Sequence, residues 1–426
     1  MTESFLYYLW QHQMFADGLT TTDGQPVVCL RAGERNNDAG PDFIGARLKI
    51  GDVEWAGNVE IHVHTSDWNA HRHSQDPAYN NILLHVVYEH DCEVRMQNGR
   101  VPLTVELKRF LHPSIVANYD ALMAPAPGLP VPCAKQLLDV PPFIVNSMME
   151  RLVMERLESK SEFARRLLDE NHGGWEQACY QLMAHYFGGK VNALPFELLA
   201  KATDQRLLAR WKDNPTRVEA ILMGQAGFLD GYFEDEYPRR LQSDYDSLRR
   251  GAEINPIDVS LWKFYRMRPS SFPTIRLSQF ANLIAGTSNL FSALLDITDV
   301  KEMERLFNQL AADYWTNHYM FDRLSPKASA KRVGASQARS LIINAWVPLL
   351  FLYGQLHGQQ EYKDRAVSLL EGLPAEDNVI IRRWVEVGIR PASAAESQAL
   401  LQLYNNHCSM RRCLECRIGY SILKHT

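Results

Sequence analysis

Residues 41–64, PDFIGARLKIGDVEWAGNVEIHVH, contain two β-rich runs separated by a Gly-Asp pair at 51–52. Glycine followed by aspartate between two such runs is typical of a tight turn. The pattern therefore predicts a β-hairpin whose strands cover 43–50 and 53–64.

Several chemically reactive side chains lie on this hairpin. Asp42 precedes the first strand, and Glu60, His62 and His64 alternate along the second. Side chains at positions i, i+2 and i+4 of a strand point to the same face. We expect Asp42 and Glu60 to face each other and hold Mg²⁺ or Mn²⁺, because these ions prefer oxygen ligands. His62 would then orient the attacking water.

The remainder of residues 1–110 shows a similar mixture of elements. A short amphipathic helix is predicted over 3–16, and one or two helical turns over 74–81. Further strands are predicted over 26–30, 82–88, 92–96 and 101–107. We therefore expect residues 1–110 to form an α/β domain built on a mixed sheet.

The rest of the chain has a different pattern. Prolines are frequent in 111–142, which predicts a linker. Hydrophobic residues recur at helical spacing over 143–426, which predicts a large all-α domain and an α+β fold for the whole chain. The apolar stretch 342–353 is expected to be a core helix kinked at Pro348.

Composition excludes several classes of protein. The chain has 426 residues, 46% of them hydrophobic, and a net charge of −5. These values exclude a disordered chain and a generally basic nucleic-acid coat, although a local basic groove is compatible with them. Seven cysteines, no basic and apolar leader, and no run of 18 apolar residues predict a cytoplasmic protein without a membrane span.

Histidines are concentrated beside the hairpin. Five of the 14 histidines lie within residues 62–85, and imidazoles suit Zn²⁺ or Mn²⁺ better than Mg²⁺. We therefore predict that His64, His71 and His73 are also metal ligands. The alternative is that these histidines bond only to backbone and neighbouring groups, as in many loops.

Pro41-Asp42 and Glu60-Ile61-His62 resemble the motif of the PD-(D/E)xK nuclease superfamily. In that superfamily the chain runs helix, strand, Asp-bearing strand, Glu-x-Lys strand, helix, strand. The resemblance implies a metal-dependent nuclease with nucleic acid as partner, and Glu34 could be the additional upstream acid. His62 departs from the motif, because a neutral imidazole does not carry the constant positive charge of lysine.

A second Glu-x-Lys candidate lies at 106–108, where the sequence is Glu-Leu-Lys. It contains the lysine of the motif. It is 64 residues from Asp42, which is far for paired strands of one small site. It is a weaker alternative to Glu60.

Longer strings resemble a bacterial family whose domain has no assigned function, and the resemblance covers nearly the whole chain. They are Asn-x-Asp-Ala-Gly-Pro-Asp-Phe at 36–43, Trp-x-Gly-Asn-Val-Glu-Ile-His at 55–62, Ser-Asp-Trp-x-x-His-x-His at 66–73, Leu-His-Val-Val-Tyr at 84–88 and Cys-Leu-x-Cys at 413–416. This resemblance implies no activity, so the nuclease hypothesis depends on the residues themselves.

The C-terminus contains a Cys-x4-Cys-x2-Cys pattern preceded by histidine, formed by His407, Cys408, Cys413 and Cys416. Thiolates at this spacing can bind a structural Zn²⁺, with His407 as the nearest fourth ligand. The spacing also fits an iron–sulfur cluster, for which Cys133 or Cys179 would be the fourth ligand. The third alternative is free or redox-active thiols.

Three arginines surround a predicted helix start near 273–274. Thr274 is a plausible N-cap, and Arg266, Arg268 and Arg276 could bind phosphate there. The alternative is a structural loop in which the guanidinium groups bond carbonyls or acidic helices.

Three function classes follow. The first is a metal-dependent nuclease, the second a non-catalytic nucleic-acid-binding or scaffold protein with a degenerate nuclease-like fold, and the third a hydrolase that uses its histidine cluster on a small substrate. An arginine groove facing Asp42 and Glu60 would favour the first class, and a closed site the second. Convergence of three imidazoles would favour the third. The sequence does not determine the oligomeric state.

Overall fold

A computed structural model describes residues 1–124, 128–250, 254–287 and 289–424. The chain divides into two compact units. Unit 1 comprises Met1–Met148, Arg383–Ile389 and Leu403–Thr426, and unit 2 comprises Met149–Arg382 and Arg390–Gln402. The C-terminal cysteines therefore belong to the same unit as the N-terminal sheet, whereas the sequence had placed them in the helical domain 143–426.

The sheet of unit 1 is mixed, as the sequence predicts. Its strands are β1 (Val27–Arg31), β2 (Glu34–Arg35), β3 (Phe43–Ile50), β4 (Val53–His64), β5 (Ile82–Glu89) and β6 (Thr104–Glu106). The order is β1-β3-β4-β5-β6, and β2 pairs with β3. Pairing is antiparallel from β1 to β4 and parallel from β4 to β6. Strands β3 and β4 of the hairpin have the bounds that the sequence predicts.

The strand predicted over 92–96 does not form, and the one over 101–107 shortens to β6. Val94 and Met96 are nevertheless both buried, in a cluster around Trp68. Their alternating burial therefore comes from the packing of a loop. The alternation of buried and exposed residues led to the incorrect prediction of a strand. Met96 N donates to Arg100 O at 2.8 Å, which closes a turn in this loop.

Several helices belong to unit 1. They include α1 (Glu3–Gln11), α2 (Asp67–Ala70) and α3 (Pro113–Met123). Helix α1 is shorter than predicted, and Thr2 Oγ1 accepts from Phe5 N at 3.3 Å at its start. Helix α3 occupies much of the predicted linker, because Pro113 lies in its first turn, where proline is favourable. Pro125 and Pro127 of that linker lie outside the described residues.

Most of the remaining elements are helices. They are α4 (Pro142–Glu170), α5 (Trp175–Phe187), α6 (Gly189–Ala202), α7 (Gln205–Ala209), α8 (Pro215–Gln225), α9 (Glu236–Arg249), α10 (Pro273–Ala285), α11 (Leu290–Asp296), α12 (Val300–Phe307), α13 (Ala335–Leu341), α14 (Val347–Leu356), α15 (Gln360–Gly372), α16 (Val379–Glu386), α17 (Ala394–Leu403) and α18 (Arg417–Lys424). A ribbon of β7 (His318–Met320) and β8 (Arg323–Leu324) interrupts the region predicted to be all-α.

The apolar run Ala335–His357 has the length and composition of a membrane span, but 67% of its most apolar window is buried inside the protein. Such burial is typical of a core helix in a soluble protein. A π-helical turn, Ile342–Trp346, precedes Pro348. Proline lacks the backbone N–H of a regular helical turn, and the wider turn accommodates it at the position where a kink was predicted.

The hairpin contains a β-bulge that sets the site. Ala46 pairs with Gly57, whereas Phe43 pairs with Val59, so one extra residue lies in β3 between these pairs. Gly45 has φ +68 there, a conformation that glycine adopts without strain. One further step of the register places Asp42 across from Glu60. Without the bulge, Asp42 would lie across from the next residue of β4, whose side chain points to the other face.

We expect Gly45→Ala to destabilise the protein by about 1–2 kcal/mol, the cost of a left-handed backbone for a residue with a Cβ. The free energy of unfolding measures this loss. The amide of Ile61, which donates to Asp42 Oδ2, should also exchange faster with solvent. Gly18→Ala is the matched control, because Gly18 has φ +84 and open space around an added Cβ but lies outside the sheet. Equal stability of Gly45→Ala and the wild type would contradict this account.

Candidate metal centre

The parallel pairing of β4 with β5 forces the chain to cross from one end of the sheet to the other. The crossover contains α2 and two 3₁₀ turns, His73–Gln75 and Pro77–Tyr79. His71 and His73 lie on this crossover, whereas His62 lies on β4 and His85 on β5. The crossover thus brings imidazoles from a loop onto imidazoles of two adjacent strands.

Three of these imidazoles converge. One nitrogen from each of His62, His71 and His73 lies within 4.8 Å of the others. His62 Nε2 is 3.1 Å from His71 Nδ1. Glu60 Oε1 lies 3.1 Å from His73 Nε2 and 3.6 Å from His62 Nε2. Three nitrogens therefore surround a single point, with a carboxylate oxygen beside two of them, and imidazole with carboxylate is typical of Zn²⁺ or Mn²⁺ sites.

The state of these histidines suits metal binding. His73 Nε2 is buried and makes no hydrogen bond to the described residues, although it faces Glu60. Burial, followed by the neighbouring imidazoles, lowers the pKa of His62 to about 2, so its ring is neutral. Neutral imidazole is the form that coordinates metals.

His85 orients His62 from behind. His62 Nδ1 lies 2.8 Å from His85 Nε2, and burial lowers the pKa of His85 to about 3. A metal on His62 Nε2 requires the proton on Nδ1, which then donates to His85. This is the usual support of a metal-bound imidazole. Trp68 contacts His62, His73 and His85 edge-on or tilted, and Tyr79 stacks on His73 at 3.8 Å.

Two acids lie beside the imidazoles. Asp42 N donates to Glu60 Oε2 at 3.1 Å, and Asp42 Oδ2 accepts from Ile61 N at 2.9 Å. Burial, and then the charge of Glu60, raises the pKa of Asp42 to about 7. Tyr7 of α1 also hydrogen-bonds Asp42, and burial raises the pKa of its phenol. The sequence analysis missed Tyr7, because a tyrosine on an amphipathic helix is typical of a core position.

Other candidates lie outside this convergence. His64 is exposed at the end of β4, where its Nδ1 is 3.8 Å from Asp67 Oδ2. Asp67 Oδ2 also accepts from His64 N, and Asp76 caps the turn Pro77–Tyr79. Glu34 is exposed on β2 and forms an ion pair with Arg31 at 2.6 Å.

The predicted phosphate-binding arginines belong to unit 2. Helix α10 begins at Pro273, so Thr274 is not its N-cap; Thr274 Oγ1 instead donates to Tyr319 O at 2.6 Å. Arg276 donates to Gln279 at 3.0 Å, and burial lowers its pKa to about 10. Arg268 precedes a 3₁₀ turn, Pro269–Ser271, and Arg266 has φ +58.

The C-terminal cysteines lie in short turns of unit 1. Cys408 ends a π-helical turn that also contains His407. Cys413 begins the turn Cys413–Glu415, and Cys416 directly follows it. None of the seven cysteines forms a disulfide within the described chain.

A comparison with protein families matches residues 3–379 to the family described as "Protein of unknown function (DUF2851)". Comparisons with curated proteins and with solved structures find no match. The match covers the sheet, the imidazole cluster and most of unit 2.

We expect Asp42→Asn to change how stability depends on pH in chelator-treated protein. The folded-state pKa of Asp42, about 7, lies above the ordinary aspartate value of 3.8, so folding favours the protonated acid. The contribution of Asp42 is therefore complete below about pH 4 and is lost as pH rises to about 7. Each pKa unit corresponds to about 1.4 kcal/mol. The neutral amide should gain stability relative to wild type across this range, as urea unfolding at several pH values would measure.

Asp91→Asn is a control of opposite sign, because hydrogen bonds from Ser66 lower the pKa of Asp91. That variant should lose stability relative to wild type as pH rises. A pH-independent difference between Asp42→Asn and wild type would contradict the raised pKa of Asp42.

Proposed function

Since the chain belongs to the family "Protein of unknown function (DUF2851)", we propose its activity from the site alone: unit 1 is a metal-dependent hydrolase. In this proposal His62, His71 and His73 hold Zn²⁺ or Mn²⁺. The observation that supports it is the convergence of the three imidazoles within 4.8 Å, with Glu60 Oε1 beside them.

The arrangement assigns a role to each neighbouring side chain. A divalent metal at this point would polarise a bound ester or phosphoester and activate water. Glu60 Oε1, which lies beside His62 and His73, would accept a hydrogen bond from the water at the metal, and His85 would hold His62 in the tautomer that leaves Nε2 free. Asp42 would be the proton acceptor: its backbone N–H bonds Glu60, and in the metal-free protein burial raises its pKa toward the working pH of a general base. His71 is exposed while His62 and His73 are buried, so substrate would approach from the side of His71.

His71→Ala should weaken metal binding without damage to the core, because His71 is exposed. Wild-type protein should be purified with Zn²⁺ or Mn²⁺, lose thermal stability on chelation and regain it when the metal returns. His71→Ala should bind the metal at least about 10-fold more weakly and lose hydrolysis of nitrophenyl ester and phosphoester probes. Metal analysis, melting temperatures and probe assays would measure these effects.

His64→Ala is the matched control, because it removes an exposed histidine of the same unit that lies outside the cluster. Both experiments use a Cys413→Ser background, so that metal on the C-terminal cysteines is not counted. A wild-type melt that responds to no divalent metal would support the non-catalytic scaffold. Equal metal affinity of both histidine variants would contradict the imidazole site.

A specific observation favours nuclease activity as the second candidate. Helix α1, strands β1, β3 and β4, helix α2 and strand β5 follow in the order that the nuclease superfamily has, with β2 as an addition. Asp42 and Glu60 lie on its Asp-bearing and Glu-bearing strands. In this candidate function the substrate is a nucleic-acid phosphodiester, and the two acids hold Mg²⁺ or Mn²⁺. The expected location is the cytoplasm.

Nuclease activity predicts cleavage of single- or double-stranded DNA or RNA with Mg²⁺ or Mn²⁺. Asp42→Asn should lower the rate at least about 100-fold, because it removes both a metal ligand and a proton acceptor. Asp52→Asn, at the exposed turn of the same hairpin, should keep the rate. Gel assays with labelled oligonucleotides measure this. Hydrolysis of the small probes without cleavage of any nucleic acid would favour the small-substrate hydrolase.

A further inference from the structure

Four cysteines from distant parts of the sequence lie in one region of unit 1. Cys133 comes soon after α3, and Cys408, Cys413 and Cys416 come from the C-terminal segment. Cys133, Cys413 and Cys416 are buried, and Cys408 is partly buried. The C-terminal helix α18 packs on α3 and on the turn Leu137–Asp139, which brings the two segments that carry these thiols together.

Specific contacts hold the two segments against each other. Arg411 Nη1 donates to Met123 O at 2.8 Å and to Ala124 O at 2.6 Å. Asn118 Nδ2 donates to Ile422 O at 3.0 Å. Residues 128–132, which precede Cys133, line the same surface cleft as Cys408 and Arg411. The segment that leads into Cys133 and the segment that contains Cys408 therefore line one cleft.

The thiols also influence one another electrostatically. Burial raises the pKa of Cys133 to about 12, and the neighbouring Cys416 and Cys413 add to this rise. Burial raises the pKa of Cys413 to about 11, with Cys416 adding to it and Arg411 opposing it. Cys408 likewise responds to the other three thiols. These mutual effects agree with the contacts between the two segments in placing the four thiols near one another.

We propose that Cys133, Cys408, Cys413 and Cys416 bind one structural Zn²⁺. Four cysteine ligands form the closed tetrahedral site that is typical of structural zinc. Cys413 and Cys416 have the x2 spacing for chelation through a tight turn, and Cys416 N donates to Cys413 O at 3.2 Å. Among the described residues, no three of these sulfurs lie within 4.8 Å of one another, so zinc binding would require the thiol side chains to rotate toward the metal.

Cys133 replaces His407 as the fourth ligand in this proposal. Adjacent residues rarely ligate the same ion, and His407 directly precedes Cys408. His407 lies near Glu415, whose pKa is lowered mainly by Arg412 and to a smaller degree by His407. The backbone carbonyl of His407 accepts a hydrogen bond from Arg412 N at 2.9 Å. The metal would fasten the C-terminal segment to the end of α3, and this role is independent of any hydrolase activity.

The test measures zinc in full-length protein that carries His71→Ala, so that the imidazole site does not contribute. We expect one Zn²⁺ per chain, retained in His407→Ala and in Cys179→Ser, which removes a buried cysteine of unit 2. Cys133→Ser should lose the metal or bind it at least about 10-fold more weakly. Absence of zinc in the His71→Ala protein would overturn the proposal, as would retention in Cys133→Ser together with loss in His407→Ala.

A second measurement covers the case in which Cys133→Ser does not fold. The His71→Ala protein is alkylated before and after zinc is removed by a chelator, and each cysteine is followed by mass spectrometry. Cys133, Cys408, Cys413 and Cys416 should become reactive together, while Cys179 stays protected in the core. Reaction of Cys133 at the same rate with and without zinc would overturn its role as a ligand.

Discussion

Strand β4 is antiparallel to β3 on one side and parallel to β5 on the other, and the candidate site depends on this change of direction. The antiparallel side places the start of β3 beside the end of β4, where Asp42 meets Glu60. The parallel side requires a crossover, and the crossover brings His71 and His73 to the same end of the sheet. A purely antiparallel sheet would join its strands by short turns and would leave no such segment over the site.

This geometry has an electrostatic consequence. Two carboxylates lie beside this group of imidazoles, so the charge of Glu60 disfavours ionisation of Asp42, and burial holds His62 and His85 neutral. A buried acid with a raised pKa beside neutral, ligand-competent histidines is typical of functional sites. The aromatic rings of Trp68 and Tyr79 fix the imidazoles in position, which reduces the rearrangement that a metal would require.

The C-terminal segment contributes to the same unit from the other end of the chain. Tyr8 of α1 contacts Tyr420 of α18, and Asn118 of α3 bonds the backbone of α18. The proposed zinc site would strengthen these contacts. It would also explain why the cysteines are grouped near the C-terminus.

Local patterns in the sequence determined the helices and strands of unit 1. The alternation of hydrophobic residues and the Gly-Asp turn established the hairpin with its observed bounds, and the density of histidines indicated the region of the site. These features depend on near neighbours, because turn chemistry and side-chain periodicity act over a few residues. The same reasoning failed at 92–96, where alternating burial reflects packing against Trp68.

Only the tertiary structure decided which residues meet. The bulge at Gly45 places Glu60 opposite Asp42, and a one-residue shift would have turned the acids to different faces. His64 has the sequence spacing of a ligand but lies at the exposed strand end, whereas His85 supports His62 from the neighbouring strand. Cys133 joins the C-terminal cysteines through the packing of two distant segments. Register and long-range packing depend on the whole folded unit, so no local pattern encodes them.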